Sequence, residues 1–215
     1  MAYMVFYEGV TVDLSYDRIK EFTDHSPGFD YLYNQMFKRA LALPKSIPFV
    51  ELGVRAGGSA LLALWAIHES GVNRPLITVD PYGERPWLSA DDKVMEKDSD
   101  GYGESFWRQT QNLLTEFCVK NELDWWHYRM TDTDFMSAWD GMDVWYQKKE
   151  LEKKFGFVYL DAEHSLNVIK RQYEWFSKRV VKGGMISIDD IVVTEEDGYS
   201  GVYIHDGVNR SYIDF

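Results

Sequence analysis

The sequence predicts an α/β domain with a doubly wound, mostly parallel sheet, a helical N-terminal extension and a C-terminal antiparallel hairpin. Three observations carry this reading. Short apolar runs alternate with longer segments of helical period. Those runs are apolar throughout rather than at every second residue, as strands covered on both faces must be. Most of them end on or beside a carboxylate: Glu51, Asp80, Asp161 and Asp189-Asp190.

In chain order, residues 1–45 form the extension. Apolar residues recur at helical spacing, first at Ile19 and Phe22, then at Tyr31, Leu32, Met36, Ala40 and Leu43, with Pro27-Gly28 dividing the two pieces. Residues 46–215 form the main domain. Residues 49–52 are the first strand and turn at Gly53, and 59–70 are a helix rich in Ala and Leu. Residues 76–80 are the second strand. Residues 83–103 are polar and glycine-bearing without a clear period. They read as a long loop of the kind that serves as a mobile lid. Residues 104–121 are an amphipathic helix, 123–129 the third strand, and 135–154 loop and helix. Residues 157–161 are the fourth strand, 168–181 a helix ending at Gly183-Gly184, and 185–189 the fifth strand. Residues 202–205 and 211–213 flank Asp206-Gly207, a good hairpin turn pair.

The chain has 215 residues, enough for one domain with a real core. Its net charge of −12 repels phosphate backbones, so nucleic acid is not the expected partner. Lys148-Lys149 and Lys153-Lys154 are read as a solvated helix face. Cys118 is the one cysteine; it cannot form an internal disulfide and reads as core. No apolar run approaches the ~20 residues that span a bilayer. Charges at Glu8 and Asp13 argue against a signal peptide, so a cytoplasmic protein without membrane contact is expected. Nothing in the sequence indicates an oligomeric state.

In a parallel sheet the strand-end carboxylates lie on one edge, where ligands of such sheets bind. The first loop runs Glu51-Leu52-Gly53-Val54-Arg55-Ala56-Gly57-Gly58-Ser59. Its small residues permit close backbone approach to a ligand, and a helix N-terminus follows. The loop lacks the G-x-G-x-x-G dinucleotide pattern, since Arg55 stands where the second glycine would be.

Residues 50–59 resemble the first motif of the class I S-adenosylmethionine methyltransferases, whose sheet is Rossmann-like. The resemblance spans roughly residues 48–190. It implies S-adenosylmethionine as cofactor, with contacts at Glu51, Gly53, Gly57 and Ser59. It implies the methionine end near Glu51 and Gly53, the ribose on Asp80, and the adenine near Met130 and Thr131. Asp161-Ala162-Glu163-His164-Ser165 and Ile188-Asp189-Asp190 are similar to motifs of the metal-dependent small-molecule O-methyltransferases, both catechol-type and macrocin-like sugar enzymes. That similarity implies a divalent cation, Mg²⁺ or Ca²⁺, on Asp161, Asp189 and Asp190. It also implies catalytic roles for Asp161 and for His164, the latter as general base, and a small hydroxylated acceptor. Three converging carboxylates would repel one another unless neutralised, and all-oxygen ligation suits those cations.

Two other functions are compatible with a sheet of this kind. A nicotinamide-dependent oxidoreductase would use Asp80 on its ribose but lacks the glycine pattern. A non-catalytic binding protein would have no need of the acidic cluster. Trp87, Tyr102, Phe106 and Trp107 either line an acceptor pocket or pack the lid. His25, His68, His127 and His205 are read as structural.

Overall fold

The computed structural model of the chain describes residues 29–82, 87–88, 94–95, 103–162, 166–189 and 212–214. Helix α1 (Phe29–Ala42) leads into strand β1 (Phe49–Leu52), followed by α2 (Gly58–Ser70) and β2 (Leu76–Val79). Two short strands, β3 (Trp87–Leu88) and β4 (Val94–Met95), come next, then α3 (Glu104–Asn121), β5 (Trp125–Tyr128) and α4 (Asp132–Trp139). The chain continues through β6 (Trp145–Tyr146), β7 (Lys149–Glu150), β8 (Phe155–Leu160), α5 (Leu166–Ser177), β9 (Val180–Ile188) and β10 (Tyr212–Asp214).

The main sheet has the order β10-β9-β8-β1-β2-β5. Five strands are mutually parallel, and β10 lies antiparallel on β9 at one edge. The expected antiparallel edge is therefore present, formed with β9. The other arm of the expected hairpin, 202–205, lies outside the described residues, as does most of the 83–103 loop. The described part of that loop is the β3–β4 pair.

Alternate residues of each central strand feed two different cores. Phe49, Phe157, Tyr159 and Met185 pack with α1, α2 and α3. Val50, Leu52, Ile77, Val158, Leu160 and Ile186 pack with Phe135 and Trp139 of α4 and with Ile169 and Phe176 of α5. This is why the strands read as unbroken apolar runs: each residue is buried whichever way it points. Cys118 is buried in the first core, as expected. No described helix is long and apolar enough to cross a membrane.

Arg74 ties α1 to the sheet. It is fully buried, and among the described residues no acid is bonded to its guanidinium. Nη2 donates to the carbonyls of Ala40 (2.5 Å) and Leu43 (2.9 Å), and Nη1 to those of Pro44 (3.3 Å) and Ile47 (3.2 Å). A helix C-terminus carries partial negative charge, so these carbonyls stand in for a counter-ion. The guanidinium also lies 5.0 Å over the Phe49 ring. Burial lowers its pKa to about 10, which leaves it charged at neutral pH.

Three sequence readings need correction. The helix after β8 ends at Ser177, and β9 begins at Val180, well before Gly183-Gly184. Those glycines shape an irregularity within the strand. Gly183 has φ +84°, and a Cβ on Gly184 would lie 2.6 Å from Val180 Cγ1 and 2.8 Å from the Gly156 carbonyl oxygen. Residues 135–154 are a short helix followed by a hairpin of β6 and β7. Its turn places Gln147 (φ 49°) and Lys148 (φ 66°) in the left-handed region. That geometry usually selects Asn-Gly, so a Gln-Lys pair gave no turn signal. Lys148-Lys149 therefore lies on an exposed hairpin rather than a helix face. Lys153 reaches over the Trp139 ring at 5.1 Å, and Lys154 donates to the Lys178 carbonyl at 2.9 Å.

Candidate active site

The register of the sheet brings the strand-end residues into one row. Leu52 pairs with Val79 on one side and Leu160 on the other. Leu160 pairs with Ile188, and Val79 with Tyr128. The next residue of each chain segment therefore forms the row Asp189, Asp161, Gly53, Asp80, Arg129 across the carboxyl edge. Backbone bonds extend the ladder into this row. Asp189 N–H donates to Leu160 O, Asp161 N–H to Leu52 O, Gly53 N–H to Val79 O, and Asp80 N–H to Tyr128 O, at 2.8–3.3 Å. Strands lie ~4.8 Å apart, so the Asp161 and Asp189 backbones are near neighbours, and Asp80 stands roughly 10 Å from Asp161.

Gly53 is the low point of that row. Its φ is +82°, and a Cβ there would lie 2.0 Å from the Asp161 carbonyl oxygen. Only glycine allows the first loop to cross the end of β8 this closely. The loop then turns with Gly57 N–H on Val54 O (2.7 Å), and α2 starts at Gly58. Gly57 has φ +80°, and a Cβ there would press on Thr110 Cγ2 at 2.9 Å.

Glu51 lies beneath this loop, 2% exposed. Ser59 donates its hydroxyl to Glu51 Oε1, while Oε2 is buried without a hydrogen-bond partner. Burial above all, and then the neighbouring Asp161, Asp80 and Asp189, raise the Glu51 pKa well above the carboxylate range; the Ser59 bond works the other way. Tyr159 lies in the same group. Burial above all, and then Asp161, Asp189 and Glu51, push its pKa well above the ordinary value. An ionised Glu51 with one unpaired oxygen is costly, and a bound cation would relieve that cost.

Asp80 has a structural task. Oδ2 accepts from the N–H groups of Val54 (2.8 Å) and Arg55 (3.1 Å), and Oδ1 from Tyr82 N–H (2.7 Å). One lone pair of Oδ1 is left by this arrangement. Beside it, Trp107 lies 4.9 Å from the Tyr82 ring and 4.2 Å from His127. Burial lowers the His127 pKa to about 4, so this imidazole is neutral, in keeping with the structural role read for it. Trp107 thus packs on the core at the mouth of the row; the side chains of Trp87, Tyr102 and Phe106 lie outside the described residues.

Met130 and Thr131 follow the row at the end of β5. Met130 packs on the second core, and the Thr131 hydroxyl caps α4 by accepting from Asp134 N–H at 3.1 Å. Two residues of the sequence-predicted cation site and its base, Asp190 and His164, lie outside the described residues. Among the described residues no group of three metal-type side chains converges. Tyr82, Thr110 and the backbone of Arg55 belong to the site and were not singled out from sequence. A left-handed backbone at a residue other than glycine leaves no mark in the sequence.

A family model described as "Methyltransferase domain" matches residues 50–191, well over half of the chain. The chain belongs to that family. Its described sheet, with the first loop crossing the row of strand ends, is the sheet of a methyltransferase domain. Among solved structures it is similar to the calicheamicin methyltransferase CalS11, at 14% identity and TM-score 0.48, covering 81% of this chain and 76% of that one. It is also similar to cofactor-bound Rv0187 from MTB, at 12% identity and TM-score 0.46, covering 80% and 60%. A third is MycE of the mycinamycin pathway in complex with Mg, SAH and mycinamycin VI, at 14% identity and TM-score 0.47, covering 89% and 42%. The chain spans less than two thirds of the length of Rv0187 and MycE. No curated protein matches it.

Proposed function

We propose that the protein is an O-methyltransferase acting on a small acceptor with adjacent hydroxyls, sugar-like or catechol-like, with the help of a divalent cation. The observation that carries the reading is the division of the row by Gly53. Two carboxylates, Asp161 and Asp189, stand in adjacent registers on one side, and Asp80 stands alone on the other. That division suits a cation on one side of the backbone crossing and a ribose on the other.

The residues present fit the cofactor. Glu51 Oε2 is a buried acceptor without a donor, suited to the ammonium of the methionine moiety. Gly53 leaves room above the row, and Gly57 and Ser59 begin the helix N-terminus beside it. Asp80 keeps one lone pair for a ribose hydroxyl and gains more by releasing a backbone amide. S-adenosylmethionine supplies an electrophilic methyl group on a sulfonium. A divalent cation on Asp161, Asp189 and Asp190 supplies a Lewis acid that lowers an acceptor hydroxyl's pKa. His164, three residues beyond Asp161, is the proposed base for that proton. The work of the fold is to align the acceptor oxygen with the methyl group, which needs both sites held on one rigid edge.

The test is methyl transfer from labelled S-adenosylmethionine to catechol with Mg²⁺, run on wild type, on Asp189→Asn, and on wild type with excess chelator. Turnover should fall about 100-fold or more in the last two, the loss expected when a Lewis acid is removed. S-adenosylhomocysteine affinity should change little. Full turnover in chelator removes the cation from the proposal and leaves the methyltransferase in place.

A further inference from the structure

Two residues of the candidate site, Arg55 (φ 47°) and Tyr82 (φ 51°), hold left-handed backbones although neither is glycine. They are joined twice. Through Asp80, the amides of Val54, Arg55 and Tyr82 share one carboxylate. Through the Arg55 carbonyl, two hydroxyls meet: Tyr82 Oη donates at 3.0 Å, and Thr110 Oγ1, from α3, at 3.1 Å. Tyr82 is fully buried and Thr110 nearly so, while the Arg55 side chain is exposed. Arg55 is therefore not held in this conformation by its own side chain's burial. A glycine would adopt it freely; an arginine needs its surroundings to impose it.

We infer that Tyr82 and Thr110 are positioning residues that clamp the Arg55 peptide and so preset the 53–57 loop for the cofactor. The inference rests on reading that loop as the S-adenosylmethionine site. The clamp supplies what the missing second glycine would have supplied, a turn already in its binding shape. Presetting a loop lowers the ordering cost of binding, so loss of the clamp weakens the cofactor without removing any contact to it. It also links α3 to the loop, since Thr110 is carried on that helix.

The test is a mutant cycle on the full chain: Y82F, T110V, R55G, and the pairs R55G/Y82F and R55G/T110V. Two quantities are measured: the dissociation constant for S-adenosylhomocysteine by calorimetry, and the urea midpoint without ligand. Y82F and T110V should each weaken binding by about 5–10-fold, one hydrogen bond's worth. In the R55G background the same substitutions should cost about twofold or less, because glycine needs no clamp. The urea midpoints should show the same loss of coupling. Equal losses in both backgrounds would make Tyr82 and Thr110 ordinary packing residues and overturn the inference, as would wild-type affinity in Y82F and T110V. If wild type itself fails to bind, the cofactor reading fails and the inference falls with it. Coupling in the ligand-free midpoints would then still identify a clamp, one that serves stability alone.

Discussion

At the residue scale the site turns on Glu51, a buried carboxylate with one bonded and one unpaired oxygen. Its pKa in the folded chain lies well above the ordinary 4.5, chiefly through burial. The folded state therefore keeps a proton that the unfolded state releases as pH rises past about 4.5. Stability contributed by this group is fully present below that value and is lost as pH climbs toward the folded pKa. Glu51→Gln removes the titration. Urea melts from pH 5 to 8 should show a flatter profile for the variant and a higher midpoint at pH 8. The same variant should bind S-adenosylhomocysteine about tenfold more weakly, the scale of one charged hydrogen bond. Identical pH profiles for the two proteins would show that Glu51 is ionised at no cost. The carboxylate was legible in the sequence, as were Gly53 and Asp80, because each follows from the strand–turn–helix pattern. What was not legible was the state of each: that Ser59 would be bonded to Glu51, or that Asp80 would accept three amides. Such partners depend on which backbone atoms face the row.

At the scale of elements, the most instructive joint is between α1 and the sheet. The sequence placed a helix at 31–43 but gave no reason for it to pack where it does. The reason is Arg74, a charged residue just before β2. Its guanidinium gathers four carbonyls from the end of α1 and the connection to β1. Arg74→Lys keeps the charge but loses the planar fork, and should destabilise the fold by ~2–4 kcal/mol, since buried carbonyls lose their donors. Hydrogen exchange should show the loss first in α1, with β1 and β2 remaining protected. Uniform loss across the sheet would mean that Arg74 supports the whole core instead. The missed hairpin at 145–150 has a related cause. Its turn depends on two left-handed residues that are neither glycine nor asparagine, and its strands are two residues each, too short to show a period. The early start of β9 was hidden because Gly183-Gly184 punctuates a strand as readily as a loop.

At the scale of the whole molecule, the parallel sheet turns five separate sequence positions into one functional edge. The order of the motifs along the chain was enough to expect this, because parallel strands covered on both faces present their carboxyl ends together. The sheet places β8 beside β1 and β9 one strand further out. That order separates Asp189 from Asp80 by three strand spacings, room for an elongated cofactor lying across Gly53. The central claim is that this edge binds S-adenosylmethionine with Asp80 on the ribose. Calorimetric titration with S-adenosylhomocysteine tests it most directly. Wild type should bind in the micromolar range, and Asp80→Ala should lose ~1.5–3 kcal/mol of affinity, the worth of charge-assisted hydrogen bonds. Absence of binding heat at millimolar ligand, with the protein folded by circular dichroism, would contradict the account.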